Sequence, residues 1–246
     1  MAIEWSIETH DSVKSTQEIL KGMAGLEEPE GKVIHAYEQK GGTGRHGRPW
    51  ISEKGNLYTS ILLRPDCPAQ KVTQFSLLTA LAVADTIQTY MISPEKLVLK
   101  WPNDVLIDGE KCAGILLETE LYQSGAVKWV VIGVGINVHK PPLGMGVGVQ
   151  DYSEQIIDLI NFRNAYLKNM ARYYTVWNRE NFSVIRQKWL DKAHREGTKI
   201  QVKIGAQIER GFFHDLDAAG NMIIRDNEYR TKTISAGEVH FLDKTM

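Results

Sequence analysis

The sequence predicts an α+β fold in two units, and three observations predict it. Between Ile3 and Val138, short apolar runs recur between turn residues, which is strand patterning. Two long stretches, Ala69 to Met91 and Ser153 to Asp191, instead space their apolar residues by three and four, which is helix patterning. From Gly197 the texture changes to closely spaced short strands. The boundary therefore lies near His194, with residues 1–193 in one unit and 194–246 in the other.

Ile3, Trp5 and Ile7 alternate as a first strand. Ser15 followed three residues later by Glu18 is a capping-box pattern, so a short helix runs to about Met23. Val33 to Glu38 is a strand. Gln39 to Trp50 is rich in glycine and contains Pro49, so it is a loop. Leu57 to Leu63 is a strand, and Val72, Phe75, Leu78, Ala82 and Thr86 give the helix of Ala69 to Met91 its buried stripe. After Pro94 come strands at Leu97–Trp101 and Val105–Ile107, separated by Pro102-Asn103-Asp104 and ended by the turn Asp108-Gly109. Lys111–Leu121 and Lys128–Val138 are strands joined through Gln123-Ser124-Gly125, and Pro141 to Gly148 is a loop. Leu159, Phe162, Tyr166, Met170, Tyr173 and Trp177 carry the helical spacing of Ser153 to Asp191. Ile200–Ile204, Gln207–Leu216, Asn221–Ile224, Tyr229–Ile234 and Glu238–Leu242 are short strands packed into about fifty residues, which implies a small closed barrel.

Composition excludes several function classes. Of 246 residues, 43% are apolar and 24% charged, the profile of a globular protein and not a disordered one. A chain this long buries roughly 70–75% of its unfolded surface and needs no disulfide or metal staple. The 29 Lys+Arg against 30 Asp+Glu leave a net charge of −1, which argues against nucleic acid as a partner. The second unit holds Asp215, Asp217, Asp226 and Glu228 among its bases, so it shows no basic stripe either. Cys67 and Cys112 make no disulfide framework, and the seven histidines lack zinc-site spacing. No signal peptide or membrane span fits, so a cytoplasmic location without membrane partners is expected.

The most informative stretch is Gly41 to Trp50. Gly42, Gly44 and Gly47 satisfy GxGxxG, but Pro49, Trp50 and a second strand follow where a dinucleotide fold requires a helix. No kinase motif follows and there is no P-loop. From Gln39 to Ser52 the segment holds Lys40, Arg45 and Arg48 and no acid. Glycines let backbone N–H groups approach an anion, and arginines fork onto phosphate or carboxylate. Taken alone, such a loop reads better as an ordinary surface loop with solvated arginines.

Lys100-Trp101-Pro102-Asn103-Asp104 closes a strand. Lys100 shares a face with Val98, and a half-buried lysine needs a partner or a ligand. Asn103 and Asp104 offer oxygens to a hard cation such as Mg²⁺. By spacing alone, a simple Pro-Asn-Asp turn with an exposed strand-end lysine is the better reading. Lys111 opens a strand in which Gly114 implies close approach of a ligand or backbone. The plain alternative for Lys111 is a hairpin-edge charge, and Cys112 is a small core residue. Gly133-Val134-Gly135-Ile136-Asn137 is another glycine-bearing strand, with Asn137 either a turn former or a reader of a base edge.

Together, and in this order, these motifs resemble those of biotin–protein ligases. The family's Gly-Arg loop is matched by Gly42-Thr43-Gly44-Arg45-His46-Gly47-Arg48-Pro49-Trp50, and its Lys-Trp-Pro-Asn-Asp box is intact at Lys100 to Asp104. Its Lys-x-x-Gly-Ile-Leu-x-Glu strand is Lys111 to Glu118, and its Gly-x-Gly-x-Asn strand is Gly133 to Asn137. Two positions depart: Thr43 replaces an arginine, and Ser15-Thr16-Gln17 replaces Ser-Thr-Asn. With no helix-turn-helix domain before residue 1, the resemblance is to the monofunctional kind.

The resemblance implies a mixed β-sheet catalytic domain flanked by helices, of the class II synthetase-like biotin–lipoate ligase type, followed by an SH3-like barrel. It implies an ATP-dependent biotin–[acetyl-CoA-carboxylase] ligase. Biotin and MgATP would give biotinyl-5′-AMP, and biotin would then pass to a lysine of a biotin carboxyl carrier protein. Arg45, Lys111 and Arg48 would be catalytic, neutralising carboxylate and phosphate oxygens. Ser15, Thr16, Gln17, Gln39, Thr43, Gly44, Arg45, Lys111, Gly114 and Leu116 would bind biotin. Arg48, Trp50, Lys100, Asn103, Asp104 and Asn137 would bind ATP, with Asp104 near Mg²⁺ through the nucleotide. Ser15 also reads as a helix cap, and Trp50 as a hydrophobic anchor for the loop. Closure of Gln39 to Trp50 over the mixed anhydride would exclude water. A homodimer through edge strands is a further expectation. The competing readings are a lipoate–protein ligase-like acyltransferase and a non-catalytic biotin or nucleotide sensor.

Overall fold

A computed structural model describes residues 3–142 and 144–242. Its first sheet has seven strands: β1 (Ser6–His10), β2 (Lys32–Ala36), β3 (Leu57–Leu63), β4 (Leu97–Lys100), β5 (Asp104–Ile107), β6 (Glu110–Leu121) and β7 (Val127–Ile136). Their order across the sheet is β1-β2-β3-β7-β6-β5-β4. β1 and β2 run parallel and the other neighbours antiparallel, so the sheet is mixed as expected. All of β3 is buried, because both faces of the sheet are covered.

One face carries α1 (Thr16–Gly25), whose Leu20 and Ala24 pack on Ile34, Leu62, Trp129 and Val131. Ser15 caps it by accepting the Glu18 N–H. Beyond the helix N-terminus this face of β7 changes from Trp129 and Val131 to Gly133 and Gly135, and Gly114 of β6 stands opposite Gly135. That absence of side chains leaves a hollow. The other face is covered by α2 (Val72–Gln88), then by α3 (Leu159–Glu180) and α4 (Phe182–Leu190).

Several boundaries moved. The first strand begins at Ser6, where the parallel ladder to Lys32 starts, and Ile7 is left exposed. The stretch Ser153 to Asp191 starts its helix only at Leu159, capped by Asp158, and breaks at Asn181. There φ is 85°, a conformation an α-helix cannot contain. Leu143, inside the expected Pro141–Gly148 loop, lies outside the described residues.

The C-terminal strands are β8 (Lys199–Ile204), β9 (Gln207–Leu216), β10 (Met222–Arg225), β11 (Thr231–Ile234) and β12 (Glu238–Phe241). They form one antiparallel sheet ordered β11-β10-β9-β8-β12. Among the described residues no ladder joins β11 to β12, so hydrogen bonds do not close the expected barrel. Tyr229, at φ 62° and exposed, belongs to the turn before β11. This sheet does not stand apart. Ile200, Phe213, Met222 and Val239 share one apolar core with Trp101 and Trp189. Trp101 Nε1 donates to the Gly220 carbonyl at 3.1 Å, and Gln74 Nε2 to that of Ala218 at 2.8 Å. No helix among the described residues is long and apolar enough to cross a membrane.

Candidate active site

The hollow on the α1 face is an open cleft whose floor is glycine. A Cβ on Gly133 would lie 2.5 Å from Gln17 Oε1, and one on Gly135 would lie 2.5 Å from Trp50 Nε1. A Cβ on Gly114 would meet Trp50 at 3.1 Å and Lys111 Nζ at 3.3 Å. Larger residues would fill the space that these side chains occupy.

One end wall is a buried polar chain. Gln17 Nε2 donates to the Val131 carbonyl at 3.1 Å, which aims its Oε1 at the Ser60 hydroxyl 3.0 Å away. Ser60 and Thr16 hydroxyls are 2.9 Å apart. Gln39 Oε1 accepts from the Thr16 N–H at 2.8 Å and lies 3.1 Å from the Thr16 hydroxyl. Gln39 Nε2 donates to Ser52, whose hydroxyl donates to the Trp50 carbonyl. The Thr16–Gln39, Thr16–Ser60 and Ser60–Gln17 contacts share only the two hydroxyl protons, so one lacks a proton. The hydroxyls can reorient for a ligand carrying both donors and an acceptor.

The Gly-Arg segment is an ordered hairpin. Trp50 N–H donates to the Gly42 carbonyl at 2.8 Å and Gly44 N–H to that of Arg48 at 2.7 Å. His46 and Gly47 turn it with φ of 58° and 70°. Trp50 folds back over the glycine floor, with Lys111 Nζ 5.2 Å from its ring centre. Its indole N–H is buried without a partner among the described residues.

Cations gather at the other end. Lys111 Nζ pairs with Asp104 Oδ1 at 2.6 Å. Arg45 Nη1 donates to Asn103 Oδ1 at 3.3 Å and to the Gly237 carbonyl at 3.2 Å. Asn103 is itself fixed, donating to the Ile115 carbonyl at 2.8 Å. Arg48 forks onto Glu238. These groups, with Lys100 and His46, line an open basin that meets the cleft at Asn103 and Lys111. Burial pushes the Lys100 ammonium below its usual range, with Asp104 acting against the shift and Lys111 with it. Burial acts on Arg45 in the same direction. Glu238 is held down at about 2, chiefly by the hydrogen bonds from Arg48.

The cleft thus brings together Ser15, Thr16, Gln17, Gln39, Thr43, Gly44, Trp50, Asn103, Lys111, Gly114 and Leu116. Arg45, Arg48, Lys100 and Asp104 line the adjoining basin. Asn137 lines neither; it is buried and donates to the Met145 carbonyl at 3.2 Å. Sequence reasoning missed Ser60, Ser52 and Glu238. Ser60 left a signal, a small hydroxyl residue between Tyr58 and Leu62 on one face of a strand whose other small polar residue, Thr59, alternates to the opposite face.

A family model described as the biotin/lipoate A/B protein ligase family matches residues 10–137. The chain belongs to that family. It is 34% identical over 216 residues to the biotin–[acetyl-CoA-carboxylase] ligase of Paracoccus denitrificans, covering 85% of this chain and 89% of that one. It is 32% identical over 235 residues to the bifunctional ligase/repressor BirA of Bacillus subtilis, covering 92% of this chain and 71% of BirA. Among solved structures, the biotin protein ligase from Aquifex aeolicus in complex with biotin and ATP superposes with a TM-score of 0.80. The two are 26% identical, and the match covers 96% of this chain and 97% of that one. Activating a carboxylate with a nucleotide calls for cations where the two anions meet, beside the pocket that holds the body of the acid. The polar end wall and the basin have that relation.

Proposed function

We propose that this chain is an ATP-dependent biotin–protein ligase. The single observation that carries the reading is the junction of the two chambers at Lys111 and Asn103. A ureido ring offers two N–H donors and one strong acceptor, which suits the Ser15–Thr16–Gln17–Gln39 end of the cleft, with Ser60 added. The acid's carboxylate then points along the glycine floor toward Lys111 and Arg45. Its oxygen attacks the α-phosphorus of ATP, the bond from that phosphorus to the bridging oxygen breaks, and pyrophosphate leaves. Arg45, Lys111 and Lys100 neutralise the charge that gathers as two anions meet, and Arg48 holds the outer phosphates. A lysine amine of a carrier protein next attacks the acyl carbon, loses a proton and expels AMP. Trp50, over the floor, shields the mixed anhydride from water.

Among the described residues no group of three or more His, Cys, Asp or Glu can hold a metal ion. Mg²⁺ would arrive with the nucleotide, beside Asp104, and would supply charge neutralisation at the phosphates. From Leu116 to Leu121, β6 pairs with β7 alone among the described residues. That free edge is where we place a homodimer contact; sedimentation of the protein over a range of concentrations tests it. We keep 1–193 as the catalytic unit and 194–246 as a second unit that completes the basin. Two free, buried cysteines fit work in a reducing compartment such as the cytoplasm.

ATP–pyrophosphate exchange decides the activity. Exchange that depends on biotin is expected. Exchange with lipoate instead would support the acyltransferase reading, and binding of biotin without exchange would support a sensor.

A further inference from the structure

The Gly-Arg hairpin carries Lys40, Arg45 and Arg48 and no acid, so its counter-charge must come from elsewhere in the fold. It comes from 190 residues away: Arg48 Nη1 and Nη2 donate to Glu238 Oε1 and Oε2 at 2.7 and 2.6 Å. Beside this fork, Arg45 Nη1 donates to the Gly237 carbonyl. The backbone that presents these two acceptors has little freedom. A Cβ on Gly237 would lie 2.6 Å from Val202 Cγ1, and Glu238 is paired with Lys203 in the β8–β12 ladder. The basin's other acid among the described residues, Asp104, is taken by Lys111.

Two carboxylate oxygens on a guanidinium occupy the same pair of N–H groups that two phosphate oxygens would take. We propose that Glu238 is an internal stand-in for nucleotide phosphate. It holds Arg48 at the basin when no nucleotide is bound, and a phosphate must displace it. Glu238 is thus a positioning residue that lowers nucleotide affinity and reclaims Arg48 as pyrophosphate departs. The proposal rests on the reading that the basin takes the triphosphate. The Arg48 side chain is 61% exposed and that of Glu238 33%, so the competition is modest. Pairs this exposed alter an equilibrium by about 1.5- to 5-fold and weaken in salt.

The test is calorimetric titration of the full chain with ATP at low and high salt. It compares wild type, Arg48→Ala, Glu238→Gln, Glu238→Asp and the Arg48→Ala/Glu238→Gln double variant, each first checked for a native unfolding midpoint. Arg48→Ala is expected to weaken binding. Glu238→Gln is expected to tighten it by about 1.5- to 5-fold at low salt, with the gain fading at high salt. Glu238→Asp, which keeps the charge but is too short for the fork, is expected to tighten it too. The gain is expected to vanish in the Arg48→Ala background. If Arg48→Ala weakens binding while Glu238→Gln does not tighten it, the stand-in role is wrong and the reading of the basin survives. Equal tightening in both backgrounds would mean bulk charge and also overturns the role. An Arg48→Ala variant that binds ATP as wild type does overturns the reading of the basin and this proposal together.

Discussion

Gly133→Ala tests the construction of the cleft at its tightest point. The new methyl would lie 2.5 Å from Gln17 Oε1 and 3.3 Å from its Cδ. Gln17 cannot swing aside freely, because it is buried and held at both ends of its amide by the Val131 carbonyl and the Ser60 hydroxyl. Moving it breaks both hydrogen bonds, each worth about 1 kcal/mol. A loss of about 2 kcal/mol corresponds to about 30-fold in an equilibrium constant. It lowers the unfolding midpoint by about 4–8 °C in a protein of this size. Biotin titration and thermal unfolding measure the two effects. The double variant Gln17→Ala/Gly133→Ala should show little further loss over Gln17→Ala alone, because the clash partner is gone. Wild-type biotin affinity and midpoint in Gly133→Ala would refute the packing argument. An undiminished loss in the double variant would do the same.

Three further outcomes are expected. Lys111→Ala should cut biotin-dependent pyrophosphate exchange by about 100-fold or more, the usual cost of one preorganised donor, while the unfolding midpoint stays close to wild type; unchanged exchange removes Lys111 from the chemistry. Arg45→Gly loses the contacts to Asn103 and Gly237, so the adenylate should escape and label lysines of bystander proteins, and a clean labelling pattern would show that the contact is misassigned. Burial holds His35 and His194 at about 4, below their ordinary 6.5. Unfolding therefore takes up protons, and stability is full above about pH 6.5 and falls progressively toward pH 4; a flat denaturant midpoint across that window contradicts the burial of these rings.

Local patterns carried much of this protein into view. Ser15 capping α1, the Lys100–Asp104 turn between β4 and β5, and the glycines of β6 and β7 all express chemistry within a few residues. The breaks in the pattern were less legible. Asn181 divides the long helix through a backbone angle that spacing does not report. The pairing of the C-terminal strands was not legible either, since a run of short strands does not state which of them are neighbours.

Composition, periodicity and motif order by themselves determined an α+β chain, its glycine- and arginine-rich loop and the family to which the motifs belong. These properties reside in near neighbours along the chain and in side-chain type. Only the tertiary structure decided that β3 sits between β2 and β7, which brings Ser60 to Thr16 and Gln17. It alone decided that Glu238 meets Arg48 across 190 residues of the chain. Alternation tells which face a residue takes but not which strand lies beside it. Strand order is settled by how helices and sheets bury one common core, and such contacts leave no local trace.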